Sequence, residues 1–303
     1  MADDLFSSNT SLQIAIIKII AFFDLFEYPL TAYEIWNNLD RKSSFNDVVA
    51  ILESGSGSIS YKQGFYFLPQ REDIINTRRK RYNYAYRKIK IARRFAELFG
   101  YCPWVKAVAV ANSLGQHNLR DGSDIDFFII TSSERIWLSR LYCTGLAKIL
   151  NSRPTAEFKK DKVCLSFYVS MAHLDISDLR LTGGDPYFDY WRRNLIVLYN
   201  KDRTYEHFLS ANGLANDGTY FSPASFQSPS AGNRAPGKIM KRLEDLAKKI
   251  QLNIMPPALT AAMNNSDGVV INDAVLKLYQ GDRRREYAEK YGQKINEIFE
   301  KNR

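Results

Sequence analysis

Hydrophobic residues along the chain recur every three to four positions in some stretches and every second position or continuously in others, which divides the sequence into elements. SLQIAIIKIIAFFDLF (11–26) carries a helical stripe, LTAYEIWNNLD after Pro29 forms a second short helix, and SSFNDVVAILE opens on serine caps for a third. SISYKQGFYFLP alternates and turns around Lys62-Gln63-Gly64, the pattern of a hairpin. RRKRYNYAYRKIKIARRFAELF predicts a long helix with an apolar stripe at Tyr82, Ala85, Ile89, Ala92, Ala96 and Phe99. Residues 101–170 alternate strand, loop, strand, helix and strand: VKAVAVA, a polar stretch, DIDFFII, ERIWLSRLYCTGLAKIL and VCLSFYVS. Helical material is expected from His173 to about Leu209, including DPYFDYWRRNLIVLY. Residues 210–236 have no apolar period and are rich in Gly, Ser, Asn and Pro, so they predict a linker or a mobile functional loop with Tyr220, Phe221 and Phe226 in it. The closing stretch, 237–303, reads as helical. The order predicts an α+β chain of five parts. These are a three-helix-and-hairpin domain over 1–70, a basic connecting helix over 71–100, a mixed sheet with flanking helices over 101–209, the loop over 210–236 and a helical region over 237–303.

One place breaks the pattern. In ANSLGQHNLRDGSDIDFFII (111–130), Asp124 and Asp126 stand one residue apart at the head of an otherwise apolar strand. Side chains at i and i+2 of a strand point to the same face, so both carboxylates aim at one spot. Buried carboxylates are costly unless something pairs with them, and a strand that keeps two predicts a bound cation. Oxygen ligands suit Mg²⁺, whose shell is completed by water and substrate phosphates.

Composition narrows the class. A hydrophobic fraction of 45% and an aromatic fraction of 13% are too rich for a disordered chain. Cys102, Cys143 and Cys164 lie far apart without a CxxC pair, so free thiols in a reducing cytoplasm are expected rather than a zinc site or disulfides. The apolar run IAIIKIIAFFDLF (14–26) is interrupted by Lys18 and Asp24 and is too short to span a bilayer, and the acidic MADDLF start shows no signal peptide; no membrane partner is expected.

The charge is unevenly distributed. The net +9 is the balance of an acidic head, −4 over residues 1–70, a basic waist, +7 over 71–100, and +6 over the remainder. Arg78, Arg79, Lys80, Arg81, Arg87, Lys88, Arg93 and Arg94 leave two readings of the helix open, a solvated basic face or a surface over 78–94 for RNA or DNA helped by Tyr82, Tyr84 and Tyr86. His117, His173 and His207 form no ligand spacing.

The strand ending at Val110-Ala111-Asn112-Ser113, the spacer with Arg120-Asp121-Gly122-Ser123, and Asp124-Ile125-Asp126-Phe127 together resemble the nucleotidyltransferase superfamily that includes DNA polymerase beta, the CCA-adding enzymes and the aminoglycoside nucleotidyltransferases. The resemblance covers about residues 101 to 170. It implies transfer of a nucleoside monophosphate from an NTP to a hydroxyl acceptor, with release of pyrophosphate. Asp124 and Asp126 would be the catalytic pair and would hold Mg²⁺ or Mn²⁺, and Asn112, Ser113 and Ser123 would face the triphosphate.

Two departures from that pattern stand out. Asn112 occupies the place of a glycine, and Asn accepts left-handed geometry better than most residues. VCLSFYVS lacks the third carboxylate usual on the next core strand. Asp161, just before it, is the candidate substitute as a third metal ligand, with Glu157 four residues earlier, and Cys164 or Ser166 falls where the acid would be. The alternative function is a catalytically silenced member that binds nucleotide or nucleic acid as a regulator.

The order of three helices and a hairpin over the first 70 residues resembles a winged-helix domain. Its third helix carries Asp47 and Glu53 and no Lys or Arg, so a structural role or a protein partner for this acidic domain is favoured over DNA.

Overall fold

Two capping boxes fix where the first short helices begin. Thr31 and Ser44 accept from the amides of Glu34 and Asp47, whose carboxylates reach back to the cap amides. In the computed structural model, which describes residues 2–55, 57–115, 117–214, 237–264 and 267–300, the chain opens with α1 (Ala2–Asp24), α2 (Ala32–Asn37), α3 (Phe45–Glu53), β1 (Ser60–Lys62), β2 (Phe65–Phe67) and α4 (Ile74–Gly100). It continues with β3 (Val105–Val110), a single turn α5 (Asn112–Gly115), β4 (Ile125–Thr131), α6 (Ile136–Ile149) and β5 (Val163–Ser170). Next come α7 (Pro186–Arg193), β6 (Ile196–Asn200) and α8 (Thr204–Ala211). The described chain ends with α9 (Lys238–Asn253), α10 (Pro257–Ala261), β7 (Val269–Ile271), β8 (Val275–Leu278) and α11 (Arg284–Glu300). This is a mixed α+β architecture of two units. Among the described residues, no helix is long and apolar enough to cross a membrane. The expected loop lies outside the described residues from 215 to 236, with Tyr220, Phe221 and Phe226.

The first unit gathers Met1–Asn83, Gly183–Arg193 and Arg283–Arg303. Three helices followed by a two-stranded hairpin occur here in the expected order, and the hairpin turns on Gln63 and Gly64, both at positive φ (55° and 86°) as a two-residue turn requires. Its core holds Ile16, Ile20, Phe22, Phe23, Ile35 and Val48, and α7 and α11 contribute to it. The Phe22 ring lies 4.3 Å from that of Tyr190 and 5.8 Å from that of Tyr291. Buried Asp185 pairs with Arg284 at 2.6 Å, and buried Asp24 accepts from Arg71 at 2.9 Å and from Lys294 at 2.5 Å.

The second unit, Tyr84–Thr182 with Asn194–Asp282, is built on a six-stranded mixed sheet in the order β6-β3-β4-β5-β8-β7. Only β4 and β5 run parallel, and α6 makes the crossover that a parallel pair needs. Every residue of β3 is buried, and in β4 the one break in burial is Asp126. Ala92, Ala96 and Phe99 of α4 and Ile136, Cys143 and Ala147 of α6 share the core with Val108, Phe127, Ile129 and Leu165.

Three sequence expectations are corrected here. NLIVLY, read as helix, forms β6 on the free edge of β3, and the closing region contains β7 and β8 rather than helices alone. Short apolar runs fit either period, and the open sheet edges beside β3 and β5 decided in favour of strands. The α4 stripe also shifts: Tyr82 is 53% exposed, whereas Lys88 is fully buried between Ala85 and Ala92.

α9 is turned opposite to its apolar pattern. Glu244, Ala247 and Gln251 face inward, while Ile239, Leu243, Leu246, Ile250 and Ile254 are exposed among the described residues. The inward polar groups serve α6, whose N-cap Arg135 makes no side-chain cap. Glu244 accepts from the amides of Trp137 at 2.8 Å and Leu138 at 3.1 Å, and Gln251 donates to the Trp137 carbonyl at 2.8 Å.

Candidate functional site

The site forms where β3 ends and β4 begins. After β3 the chain turns at Asn112, whose φ of 54° is left-handed geometry, which asparagine accepts better than most residues with a side chain. Two hydrogen bonds close the turn: the Gly115 amide donates to the Ala111 carbonyl at 3.3 Å and the Asn118 amide to the Ser113 carbonyl at 2.7 Å. Gly115 is required on other grounds, because a Cβ there would lie 2.1 Å from the Asn194 carbonyl oxygen.

Asp124 and Asp126 meet as the two-residue period predicts, and Cys164 joins them. One ligand atom from each of the three residues falls within 4.8 Å of the others. Cys164 owes its place to register, since it is the partner of Asp126 in the parallel β4–β5 pair, and its thiol donates to Ser166 Oγ at 3.4 Å. Burial, and then the charge of Asp124, push the Asp126 carboxyl up to about 6. Burial and then the carboxylates of Asp126 and Asp124 push the Cys164 thiol well above its ordinary value. In the absence of a cation this is a set of mutually repelling anions and a neutral thiol. Two hard oxygens and a sulfur on one face are a donor set that a divalent cation fits.

Asp161 is not brought into this group. It sits at positive φ (60°) before β5, and its Oδ1 accepts from Lys88 at 2.8 Å and from Arg87 at 3.1 Å. Burial alone would raise its carboxyl, but the hydrogen bonds from Lys88 and Arg87 outweigh that and hold it below the usual carboxylate range. Fully buried Lys88 also donates to the Ser123 carbonyl at 2.5 Å, and the Asp161 amide donates to the same carbonyl at 3.3 Å. Arg87 and Lys160 hold Asp121, at 2.7 and 2.6 Å. Ser123 therefore uses its carbonyl to tie together the two loops that lead into β4 and β5. Asp161 is the anion of that tie. A cation shared with Asp124 and Asp126 would have to draw it off a buried ammonium, which is the physical reason it stands apart from them.

No protein-family model, curated protein or solved structure matches the chain.

Two residues around the candidate site escape the sequence pattern. Tyr279, just after β8, brings its hydroxyl within 3.4 Å of Asn112 Nδ2, and its hydroxyl is pushed well up first by burial and then by Asp126. No periodic signal marks it, because its segment reads as helix. Lys88 could have been found, since it lies three residues after Ala85 and four before Ala92, on the buried stripe itself. The basic helix is thereby reinterpreted in part. Of its eight named cations, Arg87 and Lys88 serve the loops of this unit, and Arg78 and Arg81 pair with Glu34 and Glu27 in the other. Arg79, Lys80, Arg93 and Arg94 are exposed.

Proposed function

We propose that the second unit is a metal-dependent nucleotidyltransferase domain, and that Asp124 and Asp126 are its catalytic carboxylates. The observation that carries the reading is the convergence of those two carboxylates at the mouth of buried β4, beside a turn in which Asn112 keeps left-handed geometry. A carboxylate pair at the head of a buried strand has a cost with no structural return, so its use is to bind a cation. Asp124 and Asp126 would hold Mg²⁺ or Mn²⁺, which would supply charge neutralisation for the phosphates of an NTP and activation of a hydroxyl. In the reaction the acceptor oxygen bonds to the α-phosphorus, the bond to the β-phosphate bridging oxygen breaks, pyrophosphate leaves and the hydroxyl proton passes to solvent. Asn112 hydrogen-bonds Asp126, and with Ser113 and the loop around Ser123 it would position the triphosphate; the Lys88–Asp161 tie keeps that loop in place. The three free cysteines fit a reducing, cytoplasmic setting.

One observation favours a second reading, a silenced domain that binds nucleotide as a regulator. The third member of the site is a thiol, Cys164, and Asp161 is committed to Lys88. For the first unit we propose a winged-helix-like domain that meets a protein partner, because α3 exposes Asp47 and Glu53 and no cation.

The test is incubation of the full chain with each labelled NTP and Mg²⁺ or Mn²⁺, against the chain itself, tRNA and small hydroxyl compounds. Label transfer that is lost in Asp124→Ala and Asp126→Ala is expected of the enzyme. Metal-dependent NTP binding without transfer supports the silenced domain, and neither binding nor transfer removes both.

A further inference from the structure

We propose that Cys164 is itself a ligand in the Asp124–Asp126 site and turns that site toward thiophilic divalent cations, Zn²⁺ and Co²⁺, in preference to Mg²⁺. The inference rests on the reading of Asp124 and Asp126 as cation ligands and adds the sulfur to it. Its basis is placement. The Cys164 sulfur lies within 4.8 Å of both carboxylates, in the register position next to Asp126, and β5 offers no acid on that face. Asp161, the nearest acid before β5 in the chain, is held by Lys88 and Arg87. Mg²⁺ demands an all-oxygen octahedron and would have to leave the sulfur aside, whereas Zn²⁺ and Co²⁺ accept mixed oxygen and sulfur sets. On ligation the thiol proton is released to solvent and sulfur binds as thiolate.

A buried cysteine is often only a small apolar side chain. Cys102 and Cys143 are of that kind, 1% and 0% exposed within the apolar core of the sheet and its helices. Cys164 differs in facing two carboxylates and a serine hydroxyl rather than hydrocarbon. The other two thiols lie outside the Asp124–Asp126 group, so a sulfur signal from a bound metal is attributable to Cys164.

The test uses the full chain, stripped of metal with a chelator and titrated with Co²⁺. The visible d–d bands and a near-ultraviolet sulfur-to-cobalt charge-transfer band should rise together. Cys164→Ser should keep the visible bands and lose the charge-transfer band, with Zn²⁺ affinity falling at least about tenfold. Cys164→Asp should gain Mg²⁺ affinity by a similar factor. Zinc-edge X-ray absorption of the unmutated chain gives a check free of any folding defect, with a Zn–S distance of about 2.3 Å expected. Co²⁺ binding without a charge-transfer band, or a band that survives in Cys164→Ser, overturns the sulfur's role and leaves the two-carboxylate site standing. Failure to bind Co²⁺, Zn²⁺ or Mg²⁺ at all overturns both.

Discussion

At the scale of single residues, the burial of Asp126 beside Asp124 should cost the metal-free protein stability. The Asp126 carboxyl, raised to about 6 chiefly by burial, binds its proton more tightly in the folded chain than in the unfolded one, where its value is near 3.9. Its contribution therefore has a definite sign: without metal, stability rises as pH falls from about 6 to about 4 and is flat on either side. Asp126→Asn should remove that slope and stabilise the metal-free protein at pH 7 by roughly 1–3 kcal/mol, the free-energy equivalent of a shift of this size. Urea unfolding at several pH values with a chelator present checks this. A variant less stable than the parent at pH 7 would assign Asp126 a structural role instead.

At the scale of elements, α4 is the part whose function changed most between pattern and structure. Its basic residues look like one charged face, yet Lys88 is buried as the centre of a tie between two loops. Asp161→Ala leaves that ammonium facing only a carbonyl. Because Asp161 is itself about a quarter exposed, the expected loss is on the order of 2–3 kcal/mol, below the usual figure for a fully buried pair. Lys88→Met should cost less, about 1–2 kcal/mol, since Arg87 still serves Asp161. The folded carboxyl of Asp161 is depressed, so its contribution is present above about pH 4 and lost as pH falls further, opposite in sign to that of Asp126. Thermal melts of parent and Asp161→Ala from pH 7 to pH 3 should therefore converge at the acid end; parallel curves would contradict the ion pair.

The same helix permits a sharper test of its charges. Arg78 binds both oxygens of Glu34, at 2.7 and 2.9 Å, and lies over the rings of Tyr28 and Phe65. Arg78→Ala should destabilise the first unit by about 2–4 kcal/mol, whereas Arg79→Ala and Lys80→Ala, at exposed positions, should stay within about 0.5 kcal/mol. If the helix also binds RNA or DNA, the salt dependence should shallow with Arg79, Lys80, Arg93 and Arg94. Equal stability of the Arg78 and Arg79 variants in denaturant melts would refute the division into structural and free charges.

At the scale of the whole molecule, the first unit is assembled from three distant parts of the chain, so its boundary is not a point in the sequence. α7 and α11 complete its core through Tyr190 and Tyr291, and Arg284 reaches buried Asp185. Arg284→Met takes the guanidinium from that buried carboxylate, leaving it the Phe188 amide at 3.0 Å, and should cost about 3–5 kcal/mol. Truncation after Asp282 should do more, uncovering Phe22 and lowering the melting temperature of the first unit while NMR signals of the sheet remain. Unchanged melting on truncation would show that residues 1–83 and 183–193 suffice.

The sequence by itself determined the features that rest on local chemistry. The capping boxes at Thr31 and Ser44, the turn at Gln63-Gly64, the buried β3 and β4 and the shared face of Asp124 and Asp126 all follow from spacing a few residues long. Tertiary structure decided whatever depended on a partner far along the chain. NLIVLY and the segments of β7 and β8 became strands because sheet edges were open to their backbone groups, which short apolar runs cannot reveal. Asp161 went to Lys88 rather than to the carboxylate pair because a buried ammonium, 73 residues away in sequence, binds it at 2.8 Å. Cys164 was drawn beside Asp126 by the register of a parallel pair, and register is set by packing across the sheet rather than by either strand alone.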